Sequence, residues 1–302
     1  MTIRIRVSPW LRALLPLGVL LGGISRLILI VAIAGLLAAT MLRFAPGFDA
    51  DERQLDPRLD RASVEALRSE HASERNVASY YLNYLRNAVH GDFGKSRSLA
   101  VPVADLIRQR APVTLRLMGI GLVLAWLSAL ALAVPVVLWK SAVFRNATSA
   151  ISAVMLSVPA AAVAMILFIT GKPVQVIIAL VLFPRIFEYL RNLLVHAAGQ
   201  PHVLTAWAKG VGPIRVFFRH ILPVGAPQFA TLLGISVSIA FSACIPAETF
   251  CDLPGIGQLA WHAAISRDMP VLVTLTMLVA IVALVCNSMP DWITRRSRRF
   301  SV

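Results

Sequence analysis

Charge is scarce in this chain, and acidic charge scarcest. Asp, Glu, Lys and Arg make up 15% of the 302 residues, against about 25% in ordinary soluble proteins. Acids number 15 against 29 Lys and Arg. Hydrophobic residues are 58% of the chain, and the mean hydropathy is +0.74. So much apolar surface excludes both a disordered chain and a pair of soluble domains. What remains is an integral membrane protein. Cysteine is equally scarce: Cys244, Cys251 and Cys286 are too few and too scattered for a disulfide framework or a zinc site. Cys244 and Cys251 are too far apart to bridge if they share one helix. Six histidines occur without metal-ligand spacing, and no G-x-x-x-x-G-K-[ST] phosphate loop is present. The chain therefore carries no nucleotide-hydrolysing site of that kind, and no paired catalytic groups or metal set stand out.

The net charge of +14 invites a nucleic-acid reading, which the placement of the charges opposes. Ten of the 15 acids fall between Asp49 and Arg110, where ten basic residues balance them. The basic excess lies beside the apolar segments, as cytoplasmic loops of membrane proteins require. No patch interleaves basic residues with stacking aromatics.

A membrane crossing needs about 20 apolar residues. Six such stretches are present: 24–45, 117–138, 147–170, 173–195, 224–246 and 269–289. The predicted fold is thus all-α, with six transmembrane helices, a large external loop after the first and a cytoplasmic loop between the fourth and fifth. The segments run as 1–23, N-terminal cytoplasmic or interfacial; 24–46, first span; 47–111, external; 112–290, membrane core with loops at 196–223 and 247–268; and 291–302, basic tail. Within the external stretch, Ser63–Leu85 reads as an amphipathic helix, with Val64, Leu67, Val77, Tyr81 and Leu85 apolar. Gly171-Lys172-Pro173 is a turn signal, so the third and fourth spans form a hairpin. Arg4, Arg6 and Arg12, then Lys140 and Arg145, then Lys209, Arg215 and Arg219, then Arg295 to Arg299, all fall on one side if there are six spans. Both termini are then cytoplasmic. Leu14–Gly23 is apolar but short, either an interfacial helix or an extension of the first span; seven spans remain the alternative.

The loop His202–Pro223, HVLTAWAKGVGPIRVFFRHILP, carries the most information. A helical run over Val203–Lys209 is followed by a Gly-Val-Gly-Pro turn. Pro213 suits the first position of a second helix, which reads to Leu222. Two short helices would make a protrusion, with Ala206, Ala208 and Gly210 small enough to admit a partner closely. The segment resembles the coupling loop of permease subunits of bacterial ABC importers, E-A-A-x-x-x-G-x9-I-x-L-P. It is closest to the first-permease subunits of the dipeptide, oligopeptide and nickel importers. Thr205, Ala206, Ala208, Lys209 and Gly210 match that version, as do Arg219, His220, Leu222 and Pro223. In order along the chain, Arg43-Phe44-Ala45-Pro46-Gly47, Gly91-Asp92-Phe93-Gly94-Lys95-Ser96, Pro112-Val113-Thr114-Leu115, Glu248-Thr249 with Pro254-Gly255-Ile256-Gly257, and Arg267-Asp268-Met269-Pro270 resemble the family's other motifs. The resemblance covers roughly residues 25–295. Four departures are visible: Leu204 and Trp207 at the coupling helix's arginine positions, Gly212 in place of a polar residue, the shortened 171–173 hairpin and an extended N-terminus.

The resemblance implies a non-catalytic subunit in the bacterial inner membrane. Its expected partners are a second permease, two ATPase subunits that carry ATP and Mg, an external substrate-binding protein and lipid, but no nucleic acid. It places Thr205, Ala206, Ala208, Lys209, Gly210, Arg215, Leu222 and Pro223 in the ATPase-coupling element. Arg185, Glu188 and Arg191 lie at i, i+3, i+6 on the fourth span, where charge is costly and points to function. They line a pathway, or Glu188 simply pairs with Arg185; both readings stand. Ser238 and Ser242 on the fifth span are further pathway candidates, or ordinary helix contacts. Glu248, Asp252, Gly255 and Gly257 would form an external gate or contact the binding protein, or else cap the following turn. The Ser63–Leu85 helix would be a docking surface. An ion-driven transporter would need more intramembrane acids than Glu188, and a non-transporting permease paralogue is the remaining alternative.

Overall fold

The computed structural model describes residues 9–44, 77–139, 142–171 and 173–298. Every regular element among them is helical. In chain order they are α1 (Pro9–Arg43), α2 (Val77–Val89), α3 (Val103–Trp139), α4 (Ala142–Ser157), α5 (Ala160–Ile169), α6 (Val174–Ala198), α7 (Pro201–Ala208) and α8 (Pro213–Val216). A π-turn, Phe217–Ile221, then leads into α9 (Leu222–Phe250), followed by α10 (Ile256–Ile265) and α11 (Met269–Arg298). Two compact units divide the chain: residues 1–100 with 267–281, and residues 101–266 with 282–302.

In the first unit α1 runs unbroken from Pro9, so Leu14–Gly23 extends the helix of the first span. Residues 63–76 of the predicted amphipathic helix lie outside the described residues, but α2 continues the pattern from Val77. Tyr81 and Tyr84 are buried among Ala39, Leu42, Met269 and Val273. The Tyr81 hydroxyl donates to the Ala32 carbonyl of α1, and the Tyr84 hydroxyl meets Thr274 Oγ1 at 2.8 Å. Any side chain at Gly35 would strike the Tyr81 hydroxyl at 2.6 Å, so glycine keeps this part of α1 open to α2. Asp268, fully buried, accepts from Ser96 Oγ (2.6 Å), Ser98 N–H (3.0 Å) and Ser98 Oγ (3.0 Å). Its other oxygen lies 3.4 Å from the Val271 N–H, in the first turn of α11. The two motifs that carry Ser96 and Asp268 are thus halves of one junction.

The second unit is built on the packing of α3 against α6. On α3, Leu117, Gly121, Ala125, Ala129, Ala133 and Val137 recur every four residues, and all are buried. They face the fully buried Ile177, Ile178, Leu182, Ile186, Phe187 and Leu190 of α6. Lipid is as apolar as leucine, so helices associate in a membrane through close packing, which small residues allow. Gly121 is the tightest point: a methyl there would lie 2.6 Å from Ile178 Cγ2. Trp126 Nε1 donates to Ser236 Oγ of α9 at 3.2 Å. At Gly234 the backbone of α11 at Cys286 comes so close to α9 that no side chain fits.

Several boundaries differ from the sequence expectation. The second span's helix begins at Val103, so residues 103–111 belong to α3 and not to the external loop. The third segment, expected as one span over 147–170, is two helices bent by 92°. Pro159 is the cause: it lacks an N–H, and it pushes Val158 out of the helical region, breaking the chain there. Gly171, at the end of α5, lies in the left-handed region at φ +67°. Among the described residues, four helices are long and apolar enough to cross a membrane, or five if the bent pair counts as one. The expected fourth span, α6, has the length at 25 residues but carries three charges.

The α3–α6 seam yields a direct test. Ala129 is fully buried, whereas Leu127 on the same helix is 60% exposed. Ala129→Leu is expected to cost about 1–3 kcal/mol by overpacking and to lower the midpoint of thermal unfolding in detergent. Leu127→Ala should leave that midpoint unchanged, and equal midpoints for the two variants would refute the seam.

Candidate functional site

Two cavities open along one face of the second unit. The first, about 310 Å³, lies where α4 breaks into α5 and is walled by Val181, Pro184 and Arg185 of α6 and by Ile239, Ser242 and Ala243 of α9. The second, about 400 Å³, is lined by Tyr189, Asn192 and His196 of α6 and by Gln228, Thr231 and Ile235 of α9. On α6 the positions 181, 185, 189, 192 and 196 recur at helical spacing, as do 228, 231, 235, 239 and 242 on α9. The cavities are therefore two stations on one groove between α6 and α9.

Of the sequence-predicted pathway residues, Arg185 and Ser242 lie on this groove. The other two charges of the triplet are used differently. Arg191 Nη2 pairs with Glu188 Oε2 at 2.9 Å, and Ser149 Oγ of α4 sits 3.5 Å from Glu188 Oε1. Glu188 thus satisfies Arg191 and not Arg185, as the spacing had equally allowed. The Ser238 hydroxyl is buried without a partner, while its carbonyl accepts from Ser242 Oγ at 3.2 Å. Tyr189, Asn192, His196, Gln228 and Thr231 went unnoticed in the sequence. Their helical spacing was there to be read, but only the packing of α6 on α9 says which face is lined.

The loop between α6 and α9 is compact. Val203 and Ala206 of α7 and Val216, Phe217 and Ile221 beyond it are buried. Gly210 turns the chain at φ +71°, and the Val211 N–H donates back to the Ala206 carbonyl at 3.2 Å. Pro213 opens α8, where its missing N–H is not required. The second helix does not stop at Leu222-Pro223 as expected. Pro223 sits in the first turn of α9, where proline is tolerated, and α8, the π-turn and α9 run on as one rod to Phe250. Ala206 packs inward and so offers nothing to a partner; Thr205, Ala208, Lys209, Gly210 and Arg215 are exposed, with Leu222 half-buried. Beside them Leu204, Ile214 and Phe218 are 54%, 69% and 64% exposed. An open hollow lies between Ile214, Arg215, Phe218 and Arg219.

The residues after α9 form a buried cap. Glu248 is fully buried at the last turn of α9. Its Oε2 accepts from the Gly257 N–H at 2.7 Å and lies 3.3 Å from the Gln258 N–H, serving the start of α10. The Ile256 N–H donates to Thr114 Oγ1 of α3 at 2.7 Å. Gln258 bridges the group, accepting from Arg110 Nη1 (2.9 Å) and donating to Asp252 Oδ1 (2.7 Å). Gly255 has no room for a side chain, which would run into the Glu248 carboxylate, and at Gly257 one would lie 2.7 Å from Ile245 Cα. Of the four residues expected at an external gate or docking contact, only Asp252 is exposed.

Residues 121–299 match the family described as binding-protein-dependent transport system inner membrane component. The chain is 25% identical to a probable peptide ABC transporter permease protein, y4tP, of Sinorhizobium fredii, over 87% of this chain and 92% of that protein. It is 26% identical to the oligopeptide transport system permease protein AppB of Bacillus subtilis, over 85% and 90%. With OppB of Salmonella typhimurium the identity is 27%, over 79% and 84%.

The cap predicts a graded response. Glu248→Ala strands two buried N–H groups and should cost about 1–3 kcal/mol, with faster hydrogen exchange at Gly257 and Gln258. Glu248→Gln keeps one acceptor oxygen and should fall between that variant and the wild type. Unchanged exchange in Glu248→Ala would refute the cap.

Proposed function

The chain belongs to the inner-membrane components of binding-protein-dependent transport systems, and from that premise we propose that it forms half of an alternating-access pathway importing peptides. As a member of the family it is a non-catalytic, multi-pass permease subunit of the inner membrane. Peptides are the solute class because relatives over most of this chain's length are peptide or oligopeptide permeases.

The observation that carries the coupling half of the reading is the loop between α6 and α9. It exposes Leu204, Ile214 and Phe218 beside Lys209, Arg215 and Arg219. Apolar side chains left in water beside an open hollow suit a protein partner, here the ATPase subunits, which bind ATP and Mg. Thr205, Ala208, Lys209, Gly210, Arg215, Leu222 and Pro223 form the coupling element, with Ala206 as its internal packing residue. With the loop on the ATPase side, both termini are cytoplasmic. Closure of the ATPases moves α7 and α8, and with them the two groove-lining helices. A second permease supplies the facing half of the groove, and an external binding protein delivers solute on the side that bears Asp252.

Purification in mild detergent from the native host should recover a second permease and two ATPase subunits with the chain. Phe218→Asp and Leu204→Asp, which place charge in the contact, should each weaken ATPase retention roughly tenfold or more, with the second permease retained. Full ATPase retention in both variants would remove the loop from the interface; an absence of ATPase from the wild-type preparation would remove the importer reading itself.

A further inference from the structure

The groove between α6 and α9 has a chemical bias. Among the residues lining its two cavities there are one arginine and one histidine, Arg185 and His196, and no acid. Arg185 stands near the middle of the 25-residue α6. Glu188, the acid closest to it in sequence, is engaged by Arg191 at 2.9 Å, and among the described residues Arg185 has no ion-pair partner. The guanidinium therefore keeps its donors for what enters the cavity. The rest of that cavity is apolar except for Ser242: Met155, Leu156 and Val163 close one side, Leu180, Val181 and Ile239 the other.

We infer that the cavity at the α4–α5 break recognises the carboxylate of the transported solute through Arg185, while its apolar walls take an uncharged side chain. This deepens the import reading and rests on it. Guanidinium donors match a carboxylate in a paired geometry that no other side chain provides, and Arg185 is exposed at the cavity, where a solute can reach it. The volume of about 310 Å³ lies at the small end of ligand pockets, about 300–1,000 Å³, and holds the carboxyl-terminal residue of a short peptide, not its whole length.

The experiment uses the complete transporter in proteoliposomes: this chain, its partner permease, the ATPases and the binding protein. Two probes are compared, Ala-Leu-Ala with a free carboxylate and the same peptide as its C-terminal amide. Arg185→Gln is expected to cut import of the free acid about tenfold while changing import of the amide less than about twofold. Arg185→Lys, which keeps the charge but not the paired donors, should recover only part of the free-acid rate. The binding protein is the same throughout, so a changed acid-to-amide ratio reports on the permease. An unchanged ratio in Arg185→Gln, with peptide import intact, overturns the carboxylate assignment and leaves the import reading standing. Equal loss of both probes with loss of the second permease overturns it in favour of an ion pair across the permease interface. A dependence of both probes on anionic lipid in the wild type, lost in Arg185→Gln, overturns it in favour of a lipid phosphate. Import of neither probe by the wild type overturns the assignment together with the peptide reading.

Discussion

The second unit depends on how closely α3 can approach α6. Gly121, Ala125, Ala129 and Ala133 put backbone against the side chains of Ile177, Ile178, Leu182 and Ile186. In water, burying such large side chains would be favourable almost anywhere. In lipid it gains nothing unless protein packs more densely than acyl chains, and a small-residue stripe against large partners meets that condition. With one side of α6 fixed to α3, the face bearing Arg185, Tyr189, Asn192 and His196 is left to line cavities. The groove is thus the other side of the seam.

A second constraint acts at the helix ends. A chain that turns within or beside a bilayer must satisfy the backbone groups that helix termini leave open. Two fully buried carboxylates do so: Glu248 accepts from the first turn of α10, and Asp268 holds the loop at Ser96 and Ser98 beside the start of α11. Glu248 and its glycines belong to one stretch of sequence, whereas Asp268 and its serines lie about 170 residues apart and look like separate motifs. Gly255 and Gly257 are required by the space that Glu248 occupies, and nothing about them calls for an external partner.

Hydrophobicity made the membrane class legible, and local chemistry made the turns legible: Gly171 before Pro173, Gly210, and Pro213 at a helix start all fold as their side chains dictate. What escaped were features decided by neighbours. Pro159 breaks the third segment, whereas Pro112, Pro135, Pro184, Pro227 and Pro246 sit inside continuous helices. A proline alone does not announce which it will do, because surrounding groups decide whether the carbonyl it frees four residues earlier is satisfied. Likewise Glu188 had arginines three residues away on both sides. The structure shows the choice: the carboxylate pairs with Arg191 and lies beside Ser149 of α4. Apolar run length also misplaced the start of α3, since Arg110 and Arg116 halt a hydropathy count but not a helix.

The connectivity gives the groove its mechanical meaning. The loop of α7 and α8 joins α6 to α9, the two helices whose facing sides carry both cavities. On the α6 side the connection is short, with only Gly199 and Gln200 before α7. On the α9 side it passes through the π-turn at Phe217–Ile221, whose residues Phe217 and Ile221 are buried against the same core as Val203 and Ala206. The loop is thus joined to both walls of the groove by the chain itself and through packed side chains. Coupling needs a physical element that both ends can bias. Under the import reading proposed above, that element is the packing of α6 on α9, the two helices that the loop joins directly.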